Sequence, residues 1–130
     1  MGELGCAALG TETSSQLRVY EATAAPIVES VMKGFNGTVM AYGQTGTGKT
    51  YTLGNLGEGE DGHANRGIMV RAVDDIFERK REDDEAEYKV HASYLQLYME
   101  TVQDLWDPSN GDIQIQVRSG SIQLLSLTPG

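Results

Sequence analysis

Apolar positions along the chain fall into two helical stripes, two compact runs of β-favouring residues and one alternating stretch. The first stripe is Tyr20, Ala24, Ile27, Val28 and Val31, at offsets of four, seven, eight and eleven, the period of one helix face. Thr13-Ser14-Ser15-Gln16 ahead of it has capping-box spacing, and Lys33-Gly34 followed by Asn36-Gly37 marks its end. Pro26 lies inside this pattern. In a regular helix interior it would remove a backbone donor and cost about 3 kcal/mol, so a kink or a late restart is expected. The second stripe, Met69, Val73, Ile76 and Phe77 with Ile68 and Ala72 beside them, predicts a helix from about Gly67, with Arg79 to Glu87 as its solvated exit.

Thr38 to Tyr42 is short, mostly apolar and bounded by turn residues, the pattern of a buried parallel strand. Tyr88 to Tyr98 places apolar side chains on both faces and predicts an interior strand covered on both sides. Ile113, Ile115 and Val117 alternate with Gln114 and Gln116, so that strand should be half exposed. Arg118 to Ser121 can turn it back into Ile122 to Leu127, giving a hairpin over 113–127. Asp107 to Gly111 reads as a turn, and the acidic, glycine-rich residues 54–66 as a mobile surface loop. Residues 1–12 carry no apolar period and read as a disordered leader. The domain is expected to occupy 13–130.

Composition narrows the classes. A chain of 130 residues with 39% hydrophobic and 22% charged residues is expected to form a single globular domain. No run approaches the roughly 20 apolar residues of a membrane span. Ten basic against nineteen acidic residues give a net charge of −9, a field that repels nucleic acid and acidic lipid. The lone Cys6 cannot form an internal disulfide, and residues 1–10 lack the basic-then-apolar order of a signal peptide; a reducing, cytoplasmic setting is the expectation. His63 is expected at the surface and His91 packed, neither as a ligand. Trp106 is expected to cap a sheet end, and Glu82 to Glu85 to be a solvated loop.

Chemistry concentrates in one segment. Gly43-Gln44-Thr45-Gly46-Thr47-Gly48-Lys49-Thr50 satisfies G-x-x-x-x-G-K-[ST], the phosphate-binding loop. Its glycines let backbone amides approach a phosphate. Lys49 would place its ammonium near the β- and γ-phosphates, and Thr50 would offer a hydroxyl to Mg²⁺. The strand at 38–42 and a helix from Lys49 would aim the loop. The bound group is thereby a nucleoside triphosphate. What its binding serves is left open between a phosphate-loop NTPase and a non-catalytic nucleotide-binding remnant.

Gly34-Phe35-Asn36-Gly37-Thr38-Val39-Met40-Ala41-Tyr42, continued through the loop to Tyr51-Thr52, resembles the nucleotide-binding segment of kinesin motor domains. Val19-Tyr20 with Pro26, Arg66-Gly67-Ile68 with Ile76-Phe77, and Ser93 to Tyr98 with Asp104-Leu105 agree in order and spacing. Tyr51 to Gly54 and Tyr98 to Thr101 are similar to plant kinesins with armadillo repeats. The resemblance implies an α/β fold: an incomplete phosphate-loop NTPase of three layers, a central mixed sheet with flanking helices. It implies ATP and Mg²⁺ as cofactors, Tyr51 against the adenine, and ATP hydrolysis coupled to movement along microtubules in the complete protein. It also implies residence on the cytoskeleton and a dimer formed through a coiled coil outside this chain. The family's N-x-x-S-S-R and D-x-A-G-S-E switches and its R-x-R-P segment do not occur in these residues. No complete catalytic set is expected here, only phosphate stabilisation by Lys49.

Overall fold

The computed structural model describes residues 14–54, 56–57, 62–84, 86–109, 113–118 and 121–126. The leader, part of the 54–66 loop and both hairpin turn residues, 119 and 120, lie outside them. The chain divides into two compact units, one up to Glu87 and a second from Tyr88, where the sequence arithmetic expects one domain.

The first unit is helical. α1 (Gln16–Thr23) and α2 (Ala25–Met32) divide the first predicted helix at Ala24. Pro26 sits in the opening turn of α2, where a missing N–H costs little. The late restart is therefore what Pro26 produces. The cap differs from expectation: Ser15, not Thr13, is the N-cap, its hydroxyl accepting from the Arg18 amide at 3.2 Å. Gln16 is thereby freed from the capping box and is buried instead. α2 ends as predicted at Lys33, with Gly34 at φ 92°. The Gly34 amide donates to Val31 O and the Phe35 amide to Ser30 O, a Schellman motif.

α3 (Lys49–Gly54) and α4 (Ile68–Glu82) complete this unit. Tyr20, Ala24 and Ile68 form its buried core, with Val19, Ala25, Leu53 and Ala72 against them. The second stripe is only partly inward: Ile68 is buried, while Met69, Val73 and Phe77 are exposed. The predicted exit stays helical to Glu82 because Arg79 pairs with Asp75 one turn back, Nε to Oδ1 2.6 Å, the favourable acid-before-base spacing.

Thr38 to Tyr42 is not a hydrogen-bonded strand. Met40 is 82% and Tyr42 98% exposed. A strand exists only beside a pairing neighbour, and no described strand pairs with this segment.

The second unit holds two antiparallel hairpins. β1 (Leu95–Tyr98) pairs with β2 (Thr101–Asp104), Leu95 opposite Asp104 and Tyr98 opposite Thr101. β3 (Ile113–Arg118) pairs with β4 (Ser121–Ser126), Ile113 opposite Ser126 and Arg118 opposite Ser121. The long interior strand expected over 88–98 is reduced to its last four residues, and Gln96, Leu97 and Tyr98 are exposed. β1 folds onto β2 through a turn at Met99-Glu100, both at positive φ. His91 and Trp106 are exposed, not packed or capping. Their expected cover was a sheet that the described residues do not form. No described helix is long and apolar enough to cross a membrane.

Candidate functional site

Residues 43–50 form an exposed turn running into α3. Gly46 and Gly48 hold φ of 87° and 86°, a conformation that costs other residues roughly 1–2 kcal/mol each. A Cβ at either would meet no atom within 4 Å, so their need for glycine is conformational and the space before the loop is open. At Gly43 the constraint is steric: a Cβ would lie 2.7 Å from Thr47 Oγ1.

One acceptor organises the loop. Gln44 O takes the Thr47 amide at 3.4 Å, the Thr47 hydroxyl at 2.8 Å and the Lys49 ammonium at 2.7 Å. The amides of Thr45, Gly46 and Gly48 donate to nothing among the described residues. Thr50 is exposed in the first turn of α3, and the Thr52 amide closes that turn on Gly48 O at 2.8 Å. Open amides, a tethered ammonium and an exposed hydroxyl are the donor set that a phosphate with a divalent cation requires. The residues present fit that group.

Tyr51, half exposed, is held at two places. Its hydroxyl donates to Asn65 Oδ1 at 3.3 Å, and its carbonyl accepts Gln16 Nε2 at 2.7 Å. Asn65 belongs to a turn over 62–65. The Arg71 guanidinium gathers that turn by donating to the carbonyls of His63, Ala64 and Arg66 at 2.9–3.0 Å. Arg66 in turn pairs with Asp74 at 3.0 Å. This end of the loop is fastened, where glycine content alone predicts a mobile segment; His63 is exposed, as expected.

Sequence reasoning missed Gln16, Asn65 and Arg71. Gln16 and Asn65 act on Tyr51, distant in sequence, and Arg71 gathers carbonyls five to eight residues back through a turn that no residue pattern announces. It also missed Tyr20, whose hydroxyl donates to Asp75 Oδ2 at 2.7 Å. Burial, then the Asp75 hydrogen bond and charge, push that hydroxyl well above the ordinary tyrosine value. Burial alone would raise Asp75 too, but hydrogen bonds from Arg79 and Tyr20 and the charge of Arg79 outweigh it and hold the carboxyl below its usual range.

The kinesin motor domain family model matches residues 7–127. The chain belongs to the kinesin motor domain family. Kinesin-like protein KIN-UA of Arabidopsis thaliana is 60% identical over 121 residues, covering 91% of this chain and 12% of the relative. Kinesin-like protein KIN-UB of the same plant is 55% identical over 120 residues, covering 91% and 13%. Both are plant kinesins, in keeping with the subgroup that Tyr51 to Gly54 and Tyr98 to Thr101 resemble. Among solved structures, a fast kinesin aligns at a TM-score of 0.76 with 33% identity, over 86% of this chain and 32% of that one. The Drosophila kinesin Kin10/NOD, solved with divalent manganese and ADP, aligns at 0.67 with 35% identity, over 90% and 41%. The expected α/β fold of kinesin motor type, incomplete, is thereby shown; the described strands form two small antiparallel sheets.

Proposed function

We propose that this chain is the ATP-binding part of a kinesin-like microtubule motor, with Gly43, Gln44, Thr45, Gly46, Thr47, Gly48, Lys49, Thr50 and Tyr51 as its nucleotide site. The observation that carries this is the loop itself, with two glycines in left-handed backbone, unengaged amides and the Lys49 ammonium at 2.7 Å from Gln44 O, inside a kinesin motor match. The amides of Thr45, Gly46 and Gly48 would donate to phosphate oxygens. Lys49 would hold the β- and γ-phosphates in place of the neutral Gln44 carbonyl, and Thr50 would ligate Mg²⁺. Bound Mg²⁺ would neutralise charge on the transferred phosphoryl group. Tyr51, next after Thr50 and half exposed, would contact the base.

Support for a divalent metal and nucleotide comes from Kin10/NOD, solved with manganese and ADP. Support for a microtubule partner comes from a structure in which NOD and bovine tubulin are docked into a map of their complex, 40% identical and TM-score 0.65. Hydrolysis coupled to movement, and residence on cytoplasmic microtubules, are proposed for the whole protein. This chain's acidity places the attractive surface for acidic tubulin elsewhere in that protein.

Titration with an ATP analogue and Mg²⁺ tests the site. The chain should melt higher with ligand by an amount that grows with its concentration, and Lys49→Ala should abolish the shift. An unchanged melting point in the wild-type chain, or a full shift in Lys49→Ala, overturns the assignment.

A further inference from the structure

We propose that Gln16 is a positioning residue for the nucleotide site, holding α3 in place through the Tyr51 carbonyl. Gln16 is 5% exposed, and its Nε2 donates to Tyr51 O at 2.7 Å across 35 residues of sequence. That carbonyl is among the last four of α3, the end at which a helix runs out of its own donors. α3 is six residues long, too short to persist on propensity alone. Its position therefore rests on tertiary contacts. Leu53 against the Tyr20–Ala24–Ile68 core is one, and the Gln16 amide is the directional contact made to the helix backbone. Lys49, Thr50 and Tyr51 are the opening residues of the same helix, so a shift of α3 moves the ammonium, the metal-ligand hydroxyl and the aromatic ring together. Asn65, held by the Arg71-fastened turn, meets Tyr51 from its other end. The inference rests on the nucleotide site proposed above, and Gln16 touches no part of the ligand itself.

The test compares Gln16→Glu, which replaces only the donor group, and Gln16→Met, which keeps length without polarity, with Tyr20→Phe. The last removes a hydroxyl from the same core without touching α3. Hydrogen exchange of the Thr52–Gly54 amides and affinity for a fluorescent ATP analogue with Mg²⁺ are measured on the full chain, at a temperature where every variant is folded. Both Gln16 variants should weaken the analogue about five- to tenfold, the scale of one lost hydrogen bond. They should also speed exchange in α3 relative to α4, while Tyr20→Phe, which loses its bond to α4, keeps wild-type affinity and shows no speeding of α3 relative to α4. Wild-type affinity and exchange in the Gln16 variants would overturn the proposal, as would an equal loss of affinity in Tyr20→Phe. If the wild-type chain binds no analogue, the phosphate-loop assignment falls, and faster α3 exchange in the Gln16 variants would then mark a structural contact only, overturning the positioning role.

Discussion

Tyr20 shows how far one hydroxyl can reach. It is buried, donates to Asp75 and, through that carboxylate, joins α1 to the Arg79 end of α4. A hydrogen bond to a charged group contributes about 1.5–3 kcal/mol when buried; because Asp75 is partly solvated, Tyr20→Phe should cost about 1–2 kcal/mol in urea unfolding. The same trio sets a pH dependence on both flanks. Asp75 is held below its ordinary value, so its contribution is complete above about pH 4 and disappears as pH falls through the lowered folded value. Tyr20 is pushed above its ordinary value, so its contribution is complete below about pH 10 and is lost as pH rises through the raised folded value. Denaturation midpoints measured from pH 2.5 to 7 should show the acid limb, and Asp75→Asn should flatten it.

Among the elements, the first hairpin carries local strain. Met99 and Glu100 both adopt positive φ, 48° and 62°, in a two-residue turn that ordinarily uses Asn-Gly. Replacing the pair by Asn-Gly should stabilise the hairpin by about 1–2 kcal/mol, read as slower amide exchange at Gln96 and Gln103, which alternation from the Tyr94–Leu105 bond makes a hydrogen-bonded pair of the ladder. This turn also explains why β2 escaped the sequence pattern: no glycine or asparagine announces it, and the β-favouring run from Tyr88 invites a single long strand. The break at Ala24 was legible because Pro26 acts within its own backbone. The shift of the cap from Thr13 to Ser15 was not, since only Thr13 has a glutamine three residues on and Gln16 is instead buried with its amide on the Tyr51 carbonyl.

For the molecule as a whole, Phe35, Met40 and Tyr42 stand at 67%, 82% and 98% exposure along a segment whose backbone has no sheet neighbour among the described residues. Exposed apolar backbone without pairing contributes little to folding and is open to proteases. The isolated chain should therefore be marginally stable, with early cleavage within 35–48. A sharp cooperative melt and resistance of that segment to limited proteolysis would refute this. A longer polypeptide of the same protein that pairs these residues should show both properties.

The loop proposed as the phosphate site was marked in the sequence by itself, because left-handed backbone at Gly46 and Gly48, an ammonium at Lys49 and a hydroxyl at Thr50 are demands that fall on particular residue types at fixed spacing. The first helix, its proline break and its Schellman end were legible for the same reason. Pairing was decided elsewhere. Whether 38–42 becomes a strand, whether His91 and Trp106 are covered, and which donor reaches the Tyr51 carbonyl depend on partners far along the chain or outside it. A local pattern states what a segment can bury or donate, and only the assembled structure supplies the surface that receives it.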